Sequence, residues 1–161
     1  IGWCDWSSDV CSSDLLFSSF YPELAQFIQP LSGEYAGFRE CFDTIPFPIG
    51  YGVETSMLMD IYDRFGLEAM AQVDLDKRVH RNQSTVALGR MSFGIIQTFI
   101  AKLKASGKAT MAGELYKTMI QFELEGGAYR RKESMIDIVE RRPIVELPEY
   151  LAKFPARAGE A

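Results

Sequence analysis

Gly50-Tyr51-Gly52-Val53-Glu54-Thr55-Ser56-Met57-Leu58-Met59-Asp60-Ile61-Tyr62-Asp63-Arg64-Phe65-Gly66 is the clearest element of the chain. Val53, Met57, Leu58, Ile61, Tyr62 and Phe65 recur at helical spacing, and Gly66 supplies the stop that a left-handed C′ position favours. The spacing predicts a helix over 53–65. Upstream, Pro46-Phe47-Pro48-Ile49-Gly50 cannot continue a helix, so a loop leads in. Downstream, residues 69–75 are apolar, short and Val-containing, which predicts a strand. Ser84 then caps a second and longer helix carrying Leu88, Met91, Ile95, Ile96, Phe99, Ile100 and Leu103, ending near Gly107.

Further out the pattern is mixed. Residues 22–31 read as a short strand closed by Pro30. Ser32-Gly33-Glu34 opens a helix to about Ile45, with Tyr35, Phe38, Cys41 and Phe42 along one face. Beyond Gly107, residues 110–125 read as a helix broken by Gly126-Gly127, and 134–140 alternates like a strand. Pro143 and Pro148 bracket a tail with a turn of helix at 150–154. The class expected is α/β, with too few strands to complete a sheet.

The whole chain has 161 residues and a net charge of −5, which argues against nucleic-acid binding as its main work. No apolar run approaches the ~20 residues of a membrane-spanning helix, so no membrane role is expected. Residues 1–15 stand apart: they hold both tryptophans and two of the three cysteines. Asp5-Trp6-Ser7-Ser8-Asp9-Val10-Cys11-Ser12-Ser13-Asp14-Leu15 is similar to the translation of a common short-read sequencing adapter. The segment 1–15 is therefore read as non-native, with a longer gene interrupted at Leu16. Without it Cys41 is the only cysteine, which fits a reducing compartment.

Two stretches could carry chemistry. In Gly50-Tyr51-Gly52-Val53-Glu54 the glycines let backbone approach a ligand closely, and first-turn N–H groups point outwards. Glu54 there is held ionised by the helix dipole and could accept hydrogen bonds from hydroxyls. The same pattern also fits a plain loop and a favourably charged first turn. In Asp74-Leu75-Asp76-Lys77-Arg78-Val79-His80-Arg81-Asn82, an extended backbone would put Arg78, His80 and Asn82 on one face. That face offers a cation for phosphate, a metal ligand and an amide. Basic residues just before a helix N-terminus oppose its dipole, a conflict that a bound anion would resolve. A solvated loop is the other reading. Asp74 and Asp76 form a short acidic pair too common to carry weight, and Ser32-Gly33-Glu34 is either an anion-contacting turn or a simple cap.

Taken together, Gln29-Pro30-Leu31-Ser32-Gly33-Glu34-Tyr35-Ala36, Pro46-Phe47, Gly50-Tyr51-Gly52-Val53-Glu54, Asp63-Arg64-Phe65-Gly66-Leu67-Glu68-Ala69, Ala71-Gln72-Val73 and His80-Arg81-Asn82 resemble the glucosyl-3-phosphoglycerate synthases. These are retaining glycosyltransferases of the GT-A (Rossmann-like) fold. The resemblance covers about residues 22–103 in order; from 108 onward it is loose, mostly at Arg142-Pro143 and Leu147-Pro148-Glu149-Tyr150. It implies a C-terminal part of a GT-A fold: residues 16–107 as the second half of the catalytic domain, and 108–161 as an extension that closes the site or braces a dimer. It implies transfer of glucose from an NDP-glucose to 3-phosphoglycerate with retention, a divalent metal (Mg2+ or Mn2+), a cytoplasmic location and a homodimer.

By motif, Glu54 would bind donor-sugar hydroxyls, with Tyr51, Gly52 and Val53 shaping that pocket. Arg78 would contact phosphate, His80 would ligate the metal, and Asn82 would support the loop. Glu54 and Arg78 are the catalytic candidates. The family's nucleotide-binding half and its metal-binding aspartates lie upstream of this sequence, so Asp74 and Asp76 do not inherit that role and the chain alone is expected to be inactive. Two other functions compete. A sister hexosyltransferase would use a mannosyl donor or a glycerate acceptor. A non-catalytic binding or dimerisation module would use helix 84–104 as its interface, with Ile96 and Phe99 at the contact.

Overall fold

A computed structural model describes residues 8–74 and 84–155, with side chains from Ser13 onward. Five α-helices are present among them: α1 (Ser8–Phe20), α2 (Arg39–Thr44), α3 (Val53–Phe65), α4 (Thr85–Ala105) and α5 (Pro148–Lys153). Four strands form two antiparallel pairs, β1 (Phe47–Pro48) with β4 (Glu140–Arg141), and β2 (Thr118–Glu125) with β3 (Ala128–Met135). Helices beside small sheets match the mixed class expected.

The two helices at the centre follow the sequence signals. The Gly66 N–H donates to the Tyr62 carbonyl with φ at +76°, closing α3 as a glycine C′ does. The Ser84 hydroxyl accepts from the Ala87 N–H at 3.3 Å and starts α4. Phe17, Tyr21, Leu24, Leu58, Met59, Phe99 and Leu103 form the core where α1, α3 and α4 meet. The Phe17 and Phe99 rings meet edge to face at 5.5 Å. In length and apolar composition α4 could cross a membrane, which the sequence reading did not anticipate. It packs instead as a core helix, with Phe99 and Leu103 closed off by α1 and α3.

Several expectations change. Residues 22–31 hold a 3-10 turn at Leu24–Gln26 in place of a strand, because Leu24 is drawn under α1 into the core. The helix expected from residue 34 starts only at Arg39: Gly33 turns with φ +78°, and the Phe42 ring sits where a Gly37 Cβ would be, 2.7 Å away. Tyr35 and Phe38 are consequently exposed.

Residues 69–74 form no strand among the described residues; a 3-10 turn at Leu67–Ala69 leads into extended chain. The Gln72 side-chain amide takes the place of a neighbouring strand, accepting from the Ile28 N–H at 2.8 Å and donating to the Ile28 carbonyl at 2.6 Å. Residues 110–125 give β2, not a helix. Gly126 and Gly127 both take positive φ, +59° and +82°, which is the two-residue hairpin turn. Within 134–140 the chain splits between the end of β3 and the start of β4, and the loop before Gly50 contributes β1.

Candidate active site

The Gly50–Glu54 entrance to α3 is the part of the expected site that the described residues contain. Gly50 turns with φ +83°, a conformation L side chains rarely adopt. Gly52 is buried against α4, where an added Cβ would stand 1.8 Å from Thr98 Oγ1. Packing on Thr98 therefore accounts for the missing side chain at Gly52. An added Cβ at Gly94 would make only ordinary contact with Ile138, Ile136 and the Tyr51 Cβ, at 3.6–3.9 Å. Tyr51 is exposed, whereas Val53 and Glu54 are half-buried in the first turn. Glu54 lies at the positive end of the α3 dipole, as expected.

From the other side the loop is held by the C-terminal segment. The Ile49 N–H donates to the Val139 carbonyl at 3.0 Å, and Pro48 stands opposite Glu140 in the β1–β4 pair. Glu140 pairs with Lys102 on α4, and Lys102 Nζ lies 2.6 Å from Asp60 Oδ2 on α3. Asp60 accepts in turn from the Ser56 hydroxyl at 3.2 Å. Burial pushes the Asp60 carboxyl above its ordinary range, and the Lys102 ammonium opposes that rise. A cavity of about 70 Å3 between Pro48, Thr98, Ala101, Lys102, Ile138 and Glu140 adjoins this triad. The sequence reading passed over Lys102, Asp60 and Glu140. One signal was visible: Lys102 interrupts the apolar stripe of Ile95, Phe99 and Leu103, where a charge requires partners.

Arg78, His80 and Asn82, with Asp76, lie outside the described residues. Asp74 and Ser84 flank them, and both are exposed. Tyr51, Gly52, Val53 and Glu54 are thus brought together by one loop and helix start. Among the described residues no three His, Cys, Asp or Glu side chains converge to hold a metal ion.

No family model matches the chain. A curated relative, glucosyl-3-phosphoglycerate synthase of Petrotoga mobilis, is 44% identical over 139 residues, 86% of this chain and 43% of its own length. The chain is homologous to part of the glucosyl-3-phosphoglycerate synthases. Among solved structures, mannosyl-3-phosphoglycerate synthase from Rubrobacter xylanophilus superposes with TM-score 0.78 at 37% identity, covering 84% of this chain and 46% of that one. Glucosyl-3-phosphoglycerate synthase from Mycobacterium tuberculosis in complex with Mn2+, UDP-glucose and phosphoglyceric acid superposes with TM-score 0.73 at 36% identity, covering 89% and 47%. The helices and small sheets are those of the GT-A glycosyltransferase homologues. The chain spans under half the length of the relatives it matches.

Proposed function

We propose that this chain is part of a retaining hexosyltransferase that moves glucose from an NDP-glucose to 3-phosphoglycerate. The observation that carries the reading is the α3 entrance, pinned between α4 and the β1–β4 pair in a chain 44% identical to a glucosyl-3-phosphoglycerate synthase over 139 residues. A carboxylate in the first turn of a helix is a fixed, ionised acceptor, suited to orienting sugar hydroxyls. In this reading Glu54 accepts from the donor sugar, and Tyr51, Gly52 and Val53 form the wall beside it. Arg78 contacts the diphosphate, Asn82 supports that loop, and His80 supplies one metal ligand, the rest coming from residues beyond this sequence. A divalent ion held there, Mg2+ or Mn2+, would supply positive charge to the diphosphate leaving group. The reaction belongs in the cytoplasm, where such metabolites are made.

The test uses the longer protein that contains this sequence. Glu54→Gln is expected to cost about 1.5–3 kcal/mol in transfer at saturating metal, since a charged acceptor becomes neutral. His80→Ala is expected to abolish most metal-dependent transfer with the unfolding midpoint unchanged. Full activity in either variant overturns that residue's role. The 37% identity to a mannosyl-3-phosphoglycerate synthase supports one second reading, a mannosyl donor. Assaying the same protein with GDP-mannose beside UDP-glucose separates the two.

A further inference from the structure

The loop before Glu54 joins two stems, β1 on its near side and α3 on its far side. Each stem is tied to a carboxylate, and both carboxylates meet the same ammonium. On α3, further along the helix that carries Glu54, Asp60 accepts from Lys102 Nζ at 2.6 Å. Beside β1, Glu140 of β4 pairs with the same Nζ, and Pro48 lies opposite Glu140 in the strand pair. Lys102 itself is rooted on α4, one turn beyond the Thr98 against which Gly52 packs. One cation, its side chain only 9% exposed, thus links the strand that enters the loop to the helix that leaves it.

The two carboxylates are not equivalent. Asp60 is largely buried and accepts also from the Ser56 hydroxyl, so its pair with Lys102 belongs to the packing of α3 on α4. The Glu140 side chain is 44% exposed, and an ion pair with one partner in water returns little stability. What Glu140 supplies is place. The β1–β4 pair is two residues long on each side, too short to hold a position unaided. The Val139 carbonyl, which accepts from the Ile49 N–H, and Ile138, beside Gly50 and Gly94, lie on the same segment and move with it. We infer that Glu140 is a positioning residue for the Gly50–Glu54 entrance: through Lys102 it sets the gap between β1 and α3, and so where Tyr51 and Glu54 stand. The inference rests on the proposed role of that entrance in holding a donor sugar. Groups that orient a substrate tolerate little displacement, so a loosened stem is felt as weaker donor binding.

Two measurements on Glu140→Ala test it. In the 161-residue chain, amide hydrogen exchange at Ile49 and Val53 is expected to quicken about tenfold or more, with the amides of residues 59–63 in α3 unchanged. The urea unfolding midpoint is expected to stay near that of the parent. In the longer protein that contains this sequence, KM for UDP-glucose is expected to rise about tenfold, with KM for 3-phosphoglycerate and the metal requirement unchanged. Glu140→Gln keeps a hydrogen-bond acceptor at the same reach and is expected to stay within about threefold of the parent in both measurements. A pair that serves surface stability alone predicts parental exchange and parental KM in Glu140→Ala. Unchanged exchange at Ile49 and Val53 overturns the inference, and so does an active Glu140→Ala enzyme whose donor KM has not moved. If the parent transfers no glucose, the proposed function is what fails, and the exchange rates alone decide on Glu140.

Discussion

At Gly52 the absence of a side chain is decided by a single neighbour. A methyl group there would stand 1.8 Å from Thr98 Oγ1, with the Thr98 Cβ at 2.6 Å, so either α3 or α4 must shift. Gly52→Ala is expected to cost about 1–3 kcal/mol, as overpacking does, read as a lower midpoint in urea unfolding. At Asp60 the effect is electrostatic. Its carboxyl is held above the ordinary value of 3.8 by burial. A raised value means that the protonated form suits the folded state better. The corresponding stability is complete below the unfolded value and is lost as pH rises through the folded one. Asp60→Asn removes that loss. The stability of the parent relative to the variant is therefore expected to be greater at about pH 3.5 than at about pH 6, measured by urea unfolding at both. A difference independent of pH would show that Lys102 fully offsets the burial of the carboxylate.

Elements were legible in proportion to how much of their cause is local. The helices α3 and α4 carry their own period, cap and stop, so their bounds could be read from residues 53–66 and 84–107 alone. The hairpin turn at Gly126-Gly127 was visible as a break, but the strand before it read as helix because Leu115, Met119 and Phe122 recur at helical spacing beside the alternation of Ile120, Phe122 and Leu124. Residues 69–75 have the composition of a strand and lack only a partner, which no local signal reports. The 3-10 turn at Leu24 and the delayed start of α2 depend on side chains far along the chain or on a ring lying over Gly37. Of the candidate site, the Gly50–Glu54 entrance was legible because glycines and a first-turn carboxylate are local. The clamp behind it was not, since Lys102, Asp60 and Glu140 come from three separate elements. Lys102→Met is expected to cost about 3–5 kcal/mol, because the largely buried Asp60 carboxylate is left without its cation, while Glu140 stays in contact with water. Thermal unfolding would show it, and a loss below 1 kcal/mol would mean that water reaches the site.

At the scale of the molecule, residues 108–155 are tied to the helical core at several points. Gln97 donates to the Tyr116 carbonyl at 2.9 Å, Arg39 to the Tyr150 hydroxyl at 2.8 Å, and Lys102 pairs with Glu140. Arg39, Asp43 and Tyr150 close a polar triangle between α2 and α5. An extension bound this way is expected to melt together with the core. Far-ultraviolet circular dichroism and tyrosine fluorescence should give one coincident transition, whereas two midpoints would make 108–155 a separate cooperative unit. The same ties shape how the chain assembles. Asp60 precedes Lys102 and Glu140 follows it, so during synthesis the ammonium meets one counter-charge early and waits for the second until the C-terminal strand leaves the ribosome. Until β4 docks on β1, the loop at Gly50–Glu54 has only half its support. A stretch translated after both central helices thus sets the shape of the first site the sequence revealed.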